Sequence, residues 1–173
     1  MAAPVALIQG ASRGLGLQFC RHILKSRPAA FLVATCRNPE AAAELRDLAA
    51  GQRPGRVTVL RMDVTREEQV RAAADRVAEA FGRLDLLVNS AGMLHPSGRG
   101  ETRLSDVSAQ VLCVALHPGT VDTALSRPYR RSVPSGRLFG AERSVELLMS
   151  LVDALDAQKS GRAFSWDGAE LPW

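Results

Sequence analysis

Lysine is nearly missing from this 173-residue chain: Lys25 and Lys159 are the only two, and the only tyrosine is Tyr129. With aromatics at 5%, no stretch interleaves rings with basic side chains, the pattern by which single strands of nucleic acid are gripped. The net charge of +4 is therefore almost wholly arginine, and only Arg127, Arg130 and Arg131 cluster. Scattered cations do not track a phosphate backbone, although one or two suffice for a single bound phosphate. Cysteine is scarce as well. Cys20, Cys36 and Cys113 form neither a CxxC pair nor a zinc-ligand spacing, so neither a disulfide framework nor a metal site is expected. Small buried thiols in a reducing compartment are the plain reading, which makes the expected location cytoplasmic. No apolar run approaches the roughly 18 residues that cross a bilayer. The short apolar run at 5–8 has no basic segment before it, so it reads as a buried strand and not a signal peptide. Neither a membrane nor a nucleic acid is expected as a partner.

What is present is ordinary for a globular protein, with 46% hydrophobic and 23% charged residues. The length suits one domain, 1–173. Strands and helices alternate through the first half. Apolar runs at 4–9, 30–36, 57–62 and 85–89 read as strands. Between them Leu15, Phe19, Ile23 and Leu24, then Leu45, Leu48 and Ala49, then Val70, Ala74, Val77 and Phe81 recur at helical spacing. Asn38-Pro39 predicts a cap and a first-turn proline, Thr65 with Glu68 a capping box, and Gly82 a helix stop. This order predicts an α/β, Rossmann-type doubly wound parallel sheet. Residues 92–110 break the rhythm: Pro96, Gly98 and Gly100 mark a loop, and Ser108 starts a helix that never arrives. A strand-like run at 111–116 follows at once. Beyond a loop at 126–136, Val145, Leu148, Met149, Val152 and Leu155 predict a last helix, and 163–166 a last strand turned by Asp167-Gly168.

The strongest chemical signal is the turn between the first strand and the first helix, with Gly10, Ser12, Arg13, Gly14, Leu15 and Gly16. Glycines there let a pyrophosphate approach the backbone, and the helix behind supplies free N–H groups and a positive dipole end. Arg13 lies in that turn, and Arg37 just past the second strand, where an acid would favour NAD. Arginine suits the 2′-phosphate of NADP instead, so NADP(H) is the expected cofactor.

The glycine spacing, Asp63-Val64, Asn89-Ser90-Ala91-Gly92 and the run from Pro118 and Gly119 through Thr120 to Thr123 together resemble the short-chain dehydrogenases/reductases. Ser160-Gly161-Arg162-Ala163-Phe164, Asp167-Gly168 and Leu171-Pro172-Trp173 resemble the sniffer and C-factor branch of carbonyl reductases. The resemblance implies NADPH-dependent carbonyl reduction. It sets Asp63 and Val64 beside the adenine, Asn89, Ala91 and Gly92 along the cofactor cleft, and Pro118, Gly119, Thr120 and Thr123 beside the nicotinamide and its phosphates.

The family's catalytic tyrosine, the lysine four residues later, the serine and the helix asparagine all lie between its Asn-x-Ala-Gly and Pro-Gly motifs. Here 25 residues separate Gly92 from Pro118, where one parallel crossover alone takes a dozen or more. One central strand and two helices of the family fold are therefore expected to be missing, as if excised near 110/111. Tyr129 has Val133 four residues on, Ser105 and Ser108 match no catalytic serine in context, and no catalytic residue is assigned. His22, His95 and His117 are the remaining acid–base groups, with His117 nearest the expected nicotinamide. The two missing helices commonly form the family's dimer interface, so that dimer is expected to be lost. Four readings stay open: an NADPH-binding chain that does not reduce carbonyls, an active reductase using another acid or completed by a partner, an interaction protein that pairs with a full-length relative, and a transcript product that barely folds.

Overall fold

A computed structural model describes residues 2–92, 112–134 and 136–172. The loop expected around Pro96, Gly98 and Gly100, the helix start at Ser108, the junction at 110/111, His95, Ser105 and Trp173 lie outside the described residues. The chain divides into two compact units at Gly92/Met93.

Unit 1 begins with β1 (Val5–Gln9), α1 (Gly14–Ser26), β2 (Phe31–Cys36) and α2 (Ala43–Ala50). It continues with β3 (Val57–Arg61), α3 (Glu67–Phe81) and β4 (Leu86–Asn89). The strands form one parallel sheet in the order β3-β2-β1-β4, with Leu7 level with Val33 on one side and Leu87 on the other. Side chains alternate across a strand, so β1 and β2 bury both faces. Val5, Leu7 and Val33 meet Val77 of α3, flanked by Phe31, Leu60 and Phe81, with the Phe31 and Phe81 rings 5.4 Å apart. Ala6, Ile8, Leu32 and Ala34, of opposite parity, are buried with Leu17, Cys20 and Ile23 of α1 and Leu45 of α2. Helices on both faces of a parallel sheet are the Rossmann-type α/β architecture.

Two local expectations are corrected. Thr65 and Glu68 make no capping box: α3 starts at Glu67, and its cap residue, Arg66, offers no side-chain bond. The Asp63 carboxylate takes the Thr65 N–H at 3.0 Å and its hydroxyl at 2.8 Å, so the group that would cap the helix is already committed to a tighter local turn. Asn38 precedes only a 3-10 turn with Pro39 in it, and its side chain caps nothing. Gly82 does end α3 in the left-handed region, φ 64°.

The α3 face of the sheet is covered unevenly. Val70 of α3 and Leu87 of β4 point the same way as the core residues yet are 40% and 51% exposed. With Val64 and Leu84 they line an apolar cavity of about 580 Å³ along α3 and β4. Four of the seven large apolar side chains exposed among the described residues therefore lie in one place, beside β4, an edge of the sheet among the described residues.

Unit 2 holds β5 (Ala115–His117), β6 (Thr120–Val121), β7 (Leu138–Phe139), α4 (Ala141–Asp153), β8 (Ala163–Ser165) and β9 (Glu170–Leu171). A three-stranded sheet runs β5-β8-β9 and a two-stranded one β6-β7. The strand expected at 111–116 is shorter and shifted. Cys113 bonds to the turn that precedes β8, accepting from the Gly161 N–H at 2.8 Å and donating to Ser160 Oγ at 3.2 Å, and the ladder opens only at Ala115. The loop at 126–136 contains a 3-10 helix, Arg127–Ser132. Pro128 pre-sets its first turn, and the Ser126 hydroxyl ties it down, donating to the Val121 carbonyl (2.6 Å) and accepting the Thr123 N–H (3.1 Å). No helix among the described residues is long and apolar enough to cross a membrane.

The cysteines differ sharply in environment. Burial pushes the Cys20 thiol up to about 12, and the thiolate is the reactive species. Cys113 is half-buried. We expect an aromatic disulfide reagent at pH 8 to label Cys113 in the folded chain and Cys20 only on unfolding. Labelling of Cys20 as fast as Cys113 in native protein, read by peptide mass, would count against the core described here.

Candidate functional site

The turn after β1 is held against β2 by two bonds to one acceptor. The Gly10 and Ala11 N–H groups both donate to the Thr35 carbonyl, at 3.0 and 2.9 Å. Gly10 sits at φ 78° and Gly14 at φ 58°, conformations that a side chain resists. Gly10 is also pressed on its far side, where an added Cβ would stand 2.7 Å from the Ala91 nitrogen. Gly16 closes the motif: a Cβ there would come within 2.2 Å of the Gly10 carbonyl oxygen. The three glycines thus let turn, helix and the chain after β4 meet within backbone contact.

This arrangement leaves the start of α1 open. Its cap residue, Arg13, makes no side-chain capping bond, and no acid lies in the first turn. A helix N-terminus with unsatisfied N–H groups and no competing carboxylate attracts anions. It lies past the C-terminal end of β1, which pairs with β2 on one side and β4 on the other. Ligands of open α/β sheets bind where the chain order reverses in this way.

Ser12 and Leu15 are half-buried in the same turn, and Arg13 is exposed. Arg37 is exposed immediately after β2. Neither arginine has an ion pair or side-chain hydrogen bond among the described residues. Asp63 follows β3 two residues on. Its carboxyl is held below the usual range first by the Thr65 N–H, then by the Thr65 hydroxyl and the charges of Arg37 and Arg66. Arg37 and Asp63 thus stand together past adjacent strand ends, and Val64 is 41% exposed beside them. Asn89, Ala91 and Gly92 are exposed at the end of β4.

One member of this cluster escaped the sequence reading. Gln9 bridges the ends of β1 and β4: its carbonyl accepts the Ser90 N–H at 3.1 Å, and its side-chain oxygen accepts the Ala91 N–H at 3.1 Å. A polar residue closing an apolar strand just before a glycine was the available signal.

Unit 2 carries the other four candidates. The Pro118 carbonyl accepts from the hydroxyl of fully buried Ser144 at 2.9 Å. Gly119, at φ 74°, is clasped by Phe139 and Trp166. Thr120 opens β6, and Thr123 bonds to Ser126.

The turn thus offers a backbone cradle of phosphate size with two exposed arginines near the sheet's C-terminal edge, on a Rossmann-type α/β fold. A family model described as "short chain dehydrogenase" matches residues 4–114, and the chain belongs to that family. Among curated relatives it is 34% identical over 103 residues to the oxidoreductase YuxG of Bacillus subtilis, a match covering 59% of this chain and 15% of that one. It is 36% identical over 91 residues to a rat 3-keto-steroid reductase/17-beta-hydroxysteroid dehydrogenase, covering 52% of this chain and 27% of that one. The chain thus spans less than a third of either relative. Among solved structures, the NADPH-bound carbonyl reductase from chicken fatty liver superposes with a TM-score of 0.81 at 21% identity, covering 100% of this chain and 95% of that one. Sniffer of D. melanogaster, a carbonyl reductase, superposes at 0.75 and 18% identity, covering all of both chains. At these identities the likeness concerns the fold.

The carboxylates also set an acid limit. Asp85 is held below its ordinary range first by the side-chain bonds from Arg83, with Nε at 2.9 Å from Oδ2, then by the Val5 N–H at 2.8 Å. Its folded value, like that of Asp63, lies below the unfolded one. The stability it contributes is present above the ordinary carboxylate value and is lost as pH falls through the folded one. We expect the unfolding midpoint to drop as pH falls below about 4, and Asp85→Asn to flatten that limb. Parallel acid limbs in the two proteins would remove Asp85 from the account.

Proposed function

We propose that this chain is an NADPH-binding member of the short-chain dehydrogenase family that does not itself reduce carbonyls. The observation that carries the first half is the open start of α1 behind the Gly10–Gly16 turn, with Arg13 and Arg37 exposed around it and unpaired among the described residues. The pyrophosphate would rest on the first-turn N–H groups, and Arg37 would take the 2′-phosphate. Asp63 and Val64 would flank the adenine. Two structural neighbours are described as bound to NADPH or NADP, the chicken carbonyl reductase and a Burkholderia multivorans reductase. NADPH so held supplies a hydride. The proton a carbonyl needs has no assigned donor, because the one tyrosine, Tyr129, lacks a lysine four residues on and the segment between Gly92 and Pro118 is too short for the family's catalytic elements.

Thermal unfolding with and without cofactor tests this. A hundredfold excess of NADPH over its Kd should stabilise the fold by about 2.7 kcal/mol, NADH should do less, and NADPH oxidation with carbonyl substrates should stay at background. No shift with NADPH removes the binding claim. Turnover abolished by His117→Ala replaces the inactive reading with that of a reductase using another acid.

A second reading is favoured by the exposed Leu87, Val70, Leu84 and Val64 beside edge strand β4. Apolar patches next to open edges are where other chains add, and here the partner would be a full-length reductase. Cofactor-independent co-purification with such a relative supports it, and its absence from a stoichiometric mixture counts against it.

A further inference from the structure

Strand β4, Leu86-Leu87-Val88-Asn89, is uncharged and apolar except at its last residue. Edge strands are commonly blunted by lysine or proline, and β4 has neither. Among the described residues it pairs with β1 alone. Leu86 and Val88 are half-buried on one face, while Leu87 and Asn89 are exposed on the other.

The bonds at the strand ends fix which way the backbone points. The Gly10 N–H donates to the Thr35 carbonyl of β2, and peptide groups alternate in direction along a strand. Leu7 and Gln9 therefore turn theirs toward β4. The Ser90 N–H meets the Gln9 carbonyl at 3.1 Å, so by the same alternation Leu86 and Val88 aim theirs at β1. The N–H and C=O of Leu87, the Asn89 N–H and the Asp85 C=O are left facing outward.

A second copy set antiparallel about a twofold axis at Leu87 pairs these groups. The two Leu87 residues exchange N–H and C=O bonds, and each Asn89 N–H reaches the other copy's Asp85 carbonyl. Side chains then match across the joint. Leu87 opposes Leu87 on the α3 face, Leu86 opposes Val88 on the other, and Asp85 opposes neutral Asn89. Asp85 brings no bare charge, because Arg83 is paired with it. Moving the axis to Val88 keeps the backbone bonds but sets Leu87 against Asn89, which loses the apolar pair.

We propose that the chain forms a homodimer in which β4 pairs with β4 of a second copy, antiparallel, about a twofold axis at Leu87. The β3-β2-β1-β4 sheet then continues into its copy, and the exposed Leu87, Leu84 and Val70 of both gather along the joint. The contact uses the same edge on each copy, so it closes at two. It names the chain itself as occupant of the patch that the second reading gives to a full-length reductase, and it does not depend on NADPH binding.

Sedimentation of the full chain over about 1–500 µM should show a monomer–dimer equilibrium with a Kd of roughly 1–100 µM, fitting a short edge contact. Leu87→Lys, at an exposed position, sets two cations against each other on the axis. It should raise that Kd at least about tenfold with an unchanged far-UV spectrum. Leu87→Cys should oxidise to a disulfide-linked dimer, since hydrogen-bonded antiparallel partners stand about 5.5 Å apart between Cα atoms, within disulfide range. Leu84→Cys, also exposed, would lie about 20 Å from its counterpart in this register and should stay unlinked, as should the parent chain with its native cysteines. A monomer at the highest concentration, an unchanged dimer in Leu87→Lys, or equal cross-linking at the two positions would each overturn the proposal. A monomer that still co-purifies with a full-length reductase would do so while leaving the second reading in place. A Leu87-linked dimer that binds no NADPH would sustain this proposal and remove the cofactor claim.

Discussion

Gly16→Ala lowers the unfolding free energy by about 3 kcal/mol, the upper end of what an overpacked site costs. Helix propensity alone predicts the opposite sign, since alanine is about 1 kcal/mol better than glycine inside a helix. The contact decides. A methyl at Gly16 would lie 2.2 Å from the Gly10 oxygen, 2.8 Å from the Gly10 carbonyl carbon and 3.2 Å from the Ala11 Cα. All three are backbone atoms, so no flexible side chain can swing away. The turn cannot retreat without giving up its two bonds to Thr35, and Gly10 already abuts Ala91. Helix α1 must therefore lift, loosening the fully buried Cys20 and Ile23. For a chain of this length the melting temperature falls by about 6–12 °C. Gly51→Ala is the control: the nearest atoms to a Cβ there are 3.5 and 3.7 Å away and φ is −75°, so stability should hold or rise by about 0.5 kcal/mol. Equal melting of Gly16→Ala and the parent, by circular dichroism, would mean that turn and helix do not meet as described.

Arg37→Ala weakens NADPH about 10- to 100-fold, the worth of one or two hydrogen bonds to a charged group, and changes NADH by less than about twofold. The cofactors differ by the 2′-phosphate alone, so a residue that reads it must act on one and spare the other. Arg37 has the position and freedom for this: it is exposed just past β2, and its nearest noted influence is on the Asp63 carboxyl. Adding Arg13→Ala should erase what preference remains. Fluorescence titration of the reduced nicotinamide measures both constants. Equal weakening of NADPH and NADH would identify Arg37 as a general anion attractor and leave the NADP preference without a residue.

The first ninety residues were legible because each element there is signalled twice. β1, β2, β3 and β4 are apolar runs of strand length, and each ends at a residue type that stops or turns the chain. Gly82 closes α3 in the conformation that only glycine takes cheaply. Errors arose where two local devices compete for the same atoms. Thr65 had both a capping-box partner in Glu68 and an acid two residues before it, and the Asp63 carboxylate won because its turn is tighter. Gln9 was passed over because its role lies in a contact with Ala91, far along the chain, which no periodicity encodes. The two-residue strands β6 and β7 are below the length at which alternation can be counted. Val70 and Ala74 were rightly placed on the apolar side of α3. The pattern that put them there could not say that nothing among the described residues would cover them.

That uncovered stripe has a practical consequence for anyone who handles the protein. An apolar cavity of about 580 Å³ open beside Leu87 and Val70 is a resting place for environment-sensitive dyes on the native chain. Bright dye fluorescence at low temperature is then a property of the folded molecule, not a sign of misfolding. Unfolding would scatter these side chains and dim the signal before collapse brightens it again, so a dye-reported melt could run backwards where circular dichroism shows an ordinary transition.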